Sequence, residues 1–197
     1  MLSKEHFAFL QRLVDMGKTD IKLWYNINMT LMNEKVIDLW RKFDHVKISC
    51  SIDDLGDRNH YIRYPTKWND VEKNFLRLKT EGFEMDITQT VSWMNYRTLG
   101  DFYNEFHNKH GIFVHHNYVY DPDVLSPAVL PKAMREDIHK NFEGVFDEWK
   151  LKELKTMFGG PDKPKKWEQA KEYTRNLDEI RNQDIENFLP EFKGKIS

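Results

Sequence analysis

Most side chains in this sequence that could bind or react fall in four short polar clusters. These are Asn26-Ile27-Asn28-Met29-Thr30, Ser51-Ile52-Asp53-Asp54, Thr88-Gln89-Thr90-Val91-Ser92 and His115-His116-Asn117. Each closes an apolar run of strand character. In parallel α/β sheets, ligands collect at the carboxyl ends of strands. Four such ends lead us to expect one shared polar cleft, although Ser, Thr and Asn at a strand end also serve turns. Arg63 follows the second cluster, in a loop that also holds Asp53, Asp54 and Asp57. Read from the residues alone, it stands as a surface arginine among acids.

His107, His110, His115 and His116 place four imidazoles within ten residues. His107 and His110 lie i, i+3 on a helix and could share a face. His115 and His116 are adjacent in a strand and point to opposite faces, so only one of them can join a common site. A metal-dependent barrel enzyme built on this histidine cluster is one possible function. Glu143, Asp147 and Glu148 read as a solvated helix face, and Trp149 as a packing residue. The single cysteine, Cys50, sits inside a strand as a small core residue. One thiol cannot form an internal disulfide, a four-thiolate zinc site or an iron–sulfur cluster.

These residues need elements to position them. Ser3 caps a helix over 4–16, with Phe7, Leu10, Leu13 and Val14 inward and Gly17 as its stop. A strand at 20–26 follows, then a helix capped by Asn33 with Val36, Ile37, Leu39 and Trp40 inward. Next come a strand at 45–52, a polar loop through Pro65, a helix over 68–80 and a strand at 83–91. A helix over 99–109 and a strand at 112–120 complete four helix–strand units. Single-helix crossovers make the strands parallel. No G-x-G-x-x-G follows any strand, which weakens a dinucleotide-binding reading. After Pro122 come two or three charged helices, at about 131–142, 145–158 and 164–183, with a break at Gly159-Gly160-Pro161.

Composition narrows the classes. The 197 residues carry 30 basic and 32 acidic side chains, a formal net charge of −2. That balance gives no support to nucleic-acid or anionic-membrane binding. No apolar run approaches the roughly 20 residues that span a bilayer. A free thiol and the lack of a signal peptide fit a cytoplasmic location.

Asn26–Thr30 resembles the T-N-G-T element that ends the third strand of radical S-adenosylmethionine enzymes. SIDDLGDRNHYIRYP (51–65) resembles their S-I-D-G element and the arginine after it. With TQTVSWMNY, VHHNYVYDPDVLSP, LKTMFGGPDKP and YTRNLDEIRNQ, the whole run from Met1 to about Phe192 is similar to the twitch-type members of that family. The resemblance implies that Ser51 reaches the cofactor's ribose and carboxylate, and that Arg63 binds the carboxylate. Asn26 and Asn28 then contact cofactor or substrate. Two positions depart from the pattern, Met29 and Asp54, where the family has glycine.

Larger departures are the absence of Cys-x3-Cys-x2-Cys and of Gly-Gly-Glu, which in the family hold a 4Fe-4S cluster and the methionine amino group. The first strand here corresponds to the family's third. The expectation is therefore a partial parallel (β/α) barrel at 1–122 with a helical extension at 123–197. It would be the C-terminal part of a radical S-adenosylmethionine enzyme, a fragment or one half of a split enzyme. Such a part would bind S-adenosylmethionine weakly, or together with an N-terminal half supplied in trans, and would not ligate the cluster. Its substrate would be a peptide or a small metabolite. The rival is a non-catalytic interaction protein on the same scaffold. An incomplete barrel is also expected to expose an apolar inner face, with the first strand and first helix the stickiest elements.

Overall fold

Ser3 accepts a hydrogen bond from the His6 N–H at 3.2 Å, which caps α1 (Lys4–Asp15) in the computed structural model, where residues 3–196 are described. Gly17 then turns the chain at φ +66° into β1 (Lys22–Ile27). Asn33 caps α2 (Glu34–Trp40) by accepting from the Lys35 N–H at 3.0 Å. The chain continues through β2 (His45–Ser51), α3 (Gly56–Ile62), α4 (Trp68–Thr80), β3 (Glu84–Val91), α5 (Leu99–Tyr103) and β4 (Phe113–Tyr118). All three strand pairings are parallel, in the order β1-β2-β3-β4. This is the expected partial (β/α) barrel with a helical tail.

Strand alternation separates two faces. Val46, Ile48, Cys50, Met85, Ile87 and Val114 point toward Leu10 of α1, Val36 and Trp40 of α2, Phe75 of α4 and Phe102 of α5, forming one apolar core. Each fully buried Leu, Ile or Phe side chain there contributes roughly 1.5–3 kcal/mol.

Among the described residues the other face carries no helix layer and is polar, contrary to the apolar face expected of an open barrel. Pairing aligns Asn26 with Ser49, Ser49 with Asp86, and Ser51 with Thr88, Thr88 with His115, and Thr90 with Asn117. Two large apolar side chains on this face are well exposed, Trp24 at 69% and Phe113 at 58%.

Two elements depart from the sequence reading. The "polar loop" after β2 contains α3, and residues Asn104–Lys109 form a π-helix continuing α5. The wider π turn removes the i, i+3 stacking expected of His107 and His110. His107 stacks on Tyr103 at 4.5 Å, while His110 meets Phe75 edge-on at 5.3 Å.

The tail comprises α6 (Lys132–Asn141), α7 (Glu148–Phe158), α8 (Pro164–Arg181) and the short α9 (Ile185–Phe188), which the sequence reading omitted. Trp149 is 70% exposed rather than packed. The tail closes a second core drawn from both sides of residue 122. Tyr61, Trp93, Met94 and Tyr96 pack with Ile138, Phe158, Ala170 and Phe192. Trp93 meets Trp167 at 5.3 Å and Phe192 at 5.0 Å, both edge-on. Arg135 is 1% exposed and its guanidinium donates to the carbonyls of Leu130, Phe158, Gly160 and Pro161. It thereby satisfies carbonyls at the end of α7 that would otherwise lack donors.

Candidate functional site

The carboxyl end of β1 turns sharply at Met29, a non-glycine residue at φ +62°. That conformation costs an L-residue roughly 1–2 kcal/mol. Asn28 Oδ1 accepts from the Thr30 N–H at 3.3 Å and from Thr30 Oγ1 at 2.8 Å. The Met29 carbonyl accepts from Asn74 Nδ2 at 2.7 Å, and its side chain is buried at 1% exposure. Burial of the side chain offsets the strain of a turn that a glycine would make freely.

Asp54, at the other family glycine, has no such backbone demand; Gly56 two residues on takes the positive φ, at +59°. The Asp54 carboxylate accepts from the Leu55 N–H at 2.8 Å, Thr98 Oγ1 at 2.8 Å and Arg58 Nε at 2.9 Å. Arg58 forks onto Glu191 at 2.6 and 2.9 Å, tying the end of β2 to the tail.

Asp53 is held at every polar atom. Its N–H donates to Asn59 Oδ1 at 3.1 Å, and its carbonyl accepts from Gln89 Nε2 at 2.9 Å and Asn95 Nδ2 at 2.7 Å. One carboxylate oxygen accepts from the Thr90 N–H at 2.7 Å, the other from Arg63 Nη1 at 2.8 Å. Burial raises both the Asp53 and Asp54 carboxyls above the ordinary range, against the pull of Arg63 on one and Arg58 on the other.

Arg63, at the end of α3, is thus neither free nor spent. Among the described residues only its Nη1 has an acceptor. Asn26, Asn28, Ser51 and Arg63 all line one cavity of about 400 Å³, whose apolar wall includes Tyr25, Ile27, Leu31 and Trp40. A more open cleft of about 650 Å³ lies across Asn28, Leu31 and Arg63, and is bordered by Asp53, Lys67 and Asp70.

The other candidates disperse. Cys50 is fully buried and its thiol is pushed up to about 12, chiefly by burial. His116 lies under the helix layer, with Nδ1 at 2.8 Å from Gln89 Oε1 and no partner for its buried Nε2. Burial, with smaller contributions from Lys150 and His115, pushes it down to about 3. His115 lies on the open face, as strand alternation requires. Among the described residues no three His, Cys, Asp or Glu side chains come together to hold a metal ion.

The sequence reading missed a polar network on the open face. Trp24 Nε1 donates to Ser49 Oγ at 3.1 Å, and Ser49 Oγ donates to Asp86 Oδ1 at 2.5 Å. Lys47 Nζ lies 3.0 Å from Asp86 Oδ2, an ion pair without an aligned hydrogen bond. His115 Nε2 is 3.8 Å from the same oxygen. The signal was present in HVKISCS, whose alternate residues Lys47, Ser49 and Ser51 are polar.

No family model and no curated protein matches this sequence. Solved structures do match. One, "His6 tagged anSMEcpe with bound AdoMet", has a TM-score of 0.52 and 17% identity, over 72% of this chain and 40% of that one. Another, "Native anSMEcpe with bound AdoMet", has a TM-score of 0.50 and 18% identity, over 72% of this chain and 42% of that one. The chain therefore shares part of its fold with these two proteins. At this identity the likeness concerns the fold alone, and the chain spans under half of either protein.

Proposed function

We propose that the chain forms the cofactor wall of a radical S-adenosylmethionine enzyme and binds S-adenosylmethionine in the cavity at the ends of β1 and β2. The observation that carries this reading is the convergence of Asn26, Asn28, Ser51 and Arg63 on one cavity of about 400 Å³, a size suited to such a ligand. Arg63 offers its remaining N–H groups to the methionine carboxylate. Ser51 and the two asparagines offer hydrogen bonds to ribose, and the wall of Tyr25, Leu31 and Trp40 offers apolar area to adenine.

A 4Fe-4S cluster does not fit this chain, whose one thiol is buried and held protonated. Its ligands belong to residues outside this sequence, such as an N-terminal half acting in trans. The polar open face then receives the substrate, a peptide or small metabolite. Isothermal titration of the folded chain with S-adenosylmethionine tests the reading. Arg63→Ala is expected to weaken binding by about tenfold to a hundredfold, the value of a charge-assisted bond of about 1.5–3 kcal/mol. No binding at millimolar ligand, or equal affinity for both proteins, would refute it.

A further inference from the structure

Arg63 is a long side chain about one quarter exposed, and such a side chain samples many rotamers unless something fixes it. What fixes it is a carboxylate that is itself immobile. Asp53 is 5% exposed, and its N–H, carbonyl and both carboxylate oxygens are all engaged, from α3, β3 and the loop after β3. Its bond to Arg63 is made through Nη1 alone. The Nε–Nη2 edge is a complete two-donor fork, and it remains available to a second carboxylate.

We propose that Asp53 is a positioning residue, which clamps Nη1 of Arg63 so that the Nε–Nη2 edge is presented to a ligand carboxylate in the cavity of Asn26, Asn28 and Ser51. The inference rests on the ligand reading above. It assigns the cavity a preference for nucleosides that carry a carboxylate, over those with the same adenosine part and none. Two effects of Asp53 have opposite signs. Its negative charge repels a ligand carboxylate, and its grip removes the rotational freedom of Arg63. The Asp53 charge is already offset by the Arg63 guanidinium and the Thr90 N–H that it accepts from, which reduces the repulsion, whereas the immobilisation of Arg63 is kept in full.

The experiment measures affinities of S-adenosylmethionine and of methylthioadenosine, which lacks the carboxylate, by isothermal titration. Asp53→Asn keeps the shape but cannot accept from both Thr90 and Arg63, because one oxygen becomes an NH2 donor. Binding of S-adenosylmethionine is expected to weaken by about tenfold, with methylthioadenosine unchanged. In an Arg63→Ala background, Asp53→Asn is expected to add nothing. Should Asp53→Asn fail to fold, Asp53→Glu keeps the charge, displaces the carboxylate by one methylene and is expected to show the same loss of selectivity. Equal or tighter S-adenosylmethionine binding by the variants would overturn the inference alone. Parallel loss for both ligands would overturn it too, making Asp53 merely structural. No binding by the wild-type chain would remove the ligand reading and this inference together.

Discussion

Acid should weaken this fold through His116 before most of its carboxylates protonate. The imidazole is wedged among Tyr103, Tyr118 and Phe146 and titrates at about 3, against 6.5 for the free side chain. It is neutral in the folded chain, whereas the unfolded chain takes up a proton as pH drops through 6.5. Its contribution is therefore complete above pH 6.5 and is lost progressively as pH falls toward the folded value. Between pH 6.5 and 5, integration of the proton difference gives about 1.5 kcal/mol. Asp53 and Asp54 act with the opposite sign, because burial raises their carboxyls, so the total profile mixes both. A variant isolates the histidine. His116→Asn keeps a donor for Gln89 Oε1, does not titrate, and costs some stability at every pH. Urea unfolding at pH 7, 6.5, 5.5 and 5 should show wild type losing about 1.5 kcal/mol more than His116→Asn across that interval. Parallel profiles would refute the assignment of a buried, neutral His116.

Arg135→Met should destabilise by about 3–5 kcal/mol in urea titrations, since four backbone carbonyls lose their donor; a loss under about 1 kcal/mol would contradict the cage. Met29→Gly relieves a left-handed backbone but deletes a buried side chain. The second effect is larger, so a net loss of about 1–3 kcal/mol is expected, and a rise in melting temperature would reverse that ranking. Asp54→Gly should cost about 3 kcal/mol by stripping Arg58 of a buried partner. Its effect should be strongly non-additive with Glu191→Ala in a double-mutant cycle.

Local signals carried the sheet and its covering helices. The apolar spacing of Val71, Phe75 and Leu78 marks α4 at its observed bounds, and period-two alternation marks β3. Asn26, Asn28 and Ser51 were legible because strand ends in parallel sheets are where polar side chains meet, whereas Arg63, at the end of α3, was singled out only by the resemblance of 51–65 to a known pattern. α3 was not, since DDLGDRNHYIRYP has only Leu55, Tyr61 and Ile62 as apolar residues before its tyrosine and proline end. Its inward face exists because Tyr61, bonded to Asp178 at 2.8 Å, packs on a helix more than a hundred residues later. The clamp on Arg63 was hidden for the same reason. Gln89 and Asn95 reach the Asp53 carbonyl only after β2 and β3 pair, and no spacing rule announces such a contact. The wide turn at 104–109 likewise changes which histidines are neighbours, and 3.6-residue periodicity cannot register it.

The Asp54–Arg58–Glu191 tie has a consequence for how the chain is made. The strands and their covering helices draw their core from the first 114 residues and can assemble while later residues are still being synthesised. The wall that bears Asp53 and Arg63 is different. Its anchor at Arg58 is Glu191, and the face of Tyr61 needs Phe188 and Arg181, with a ring contact of 5.3 Å and a cation over the ring at 5.9 Å. A nascent chain carrying a complete sheet therefore still lacks a finished pocket. Anything that recognises this pocket can act as a folding partner only once residues near 191 have emerged, and not as a scaffold for the early sheet.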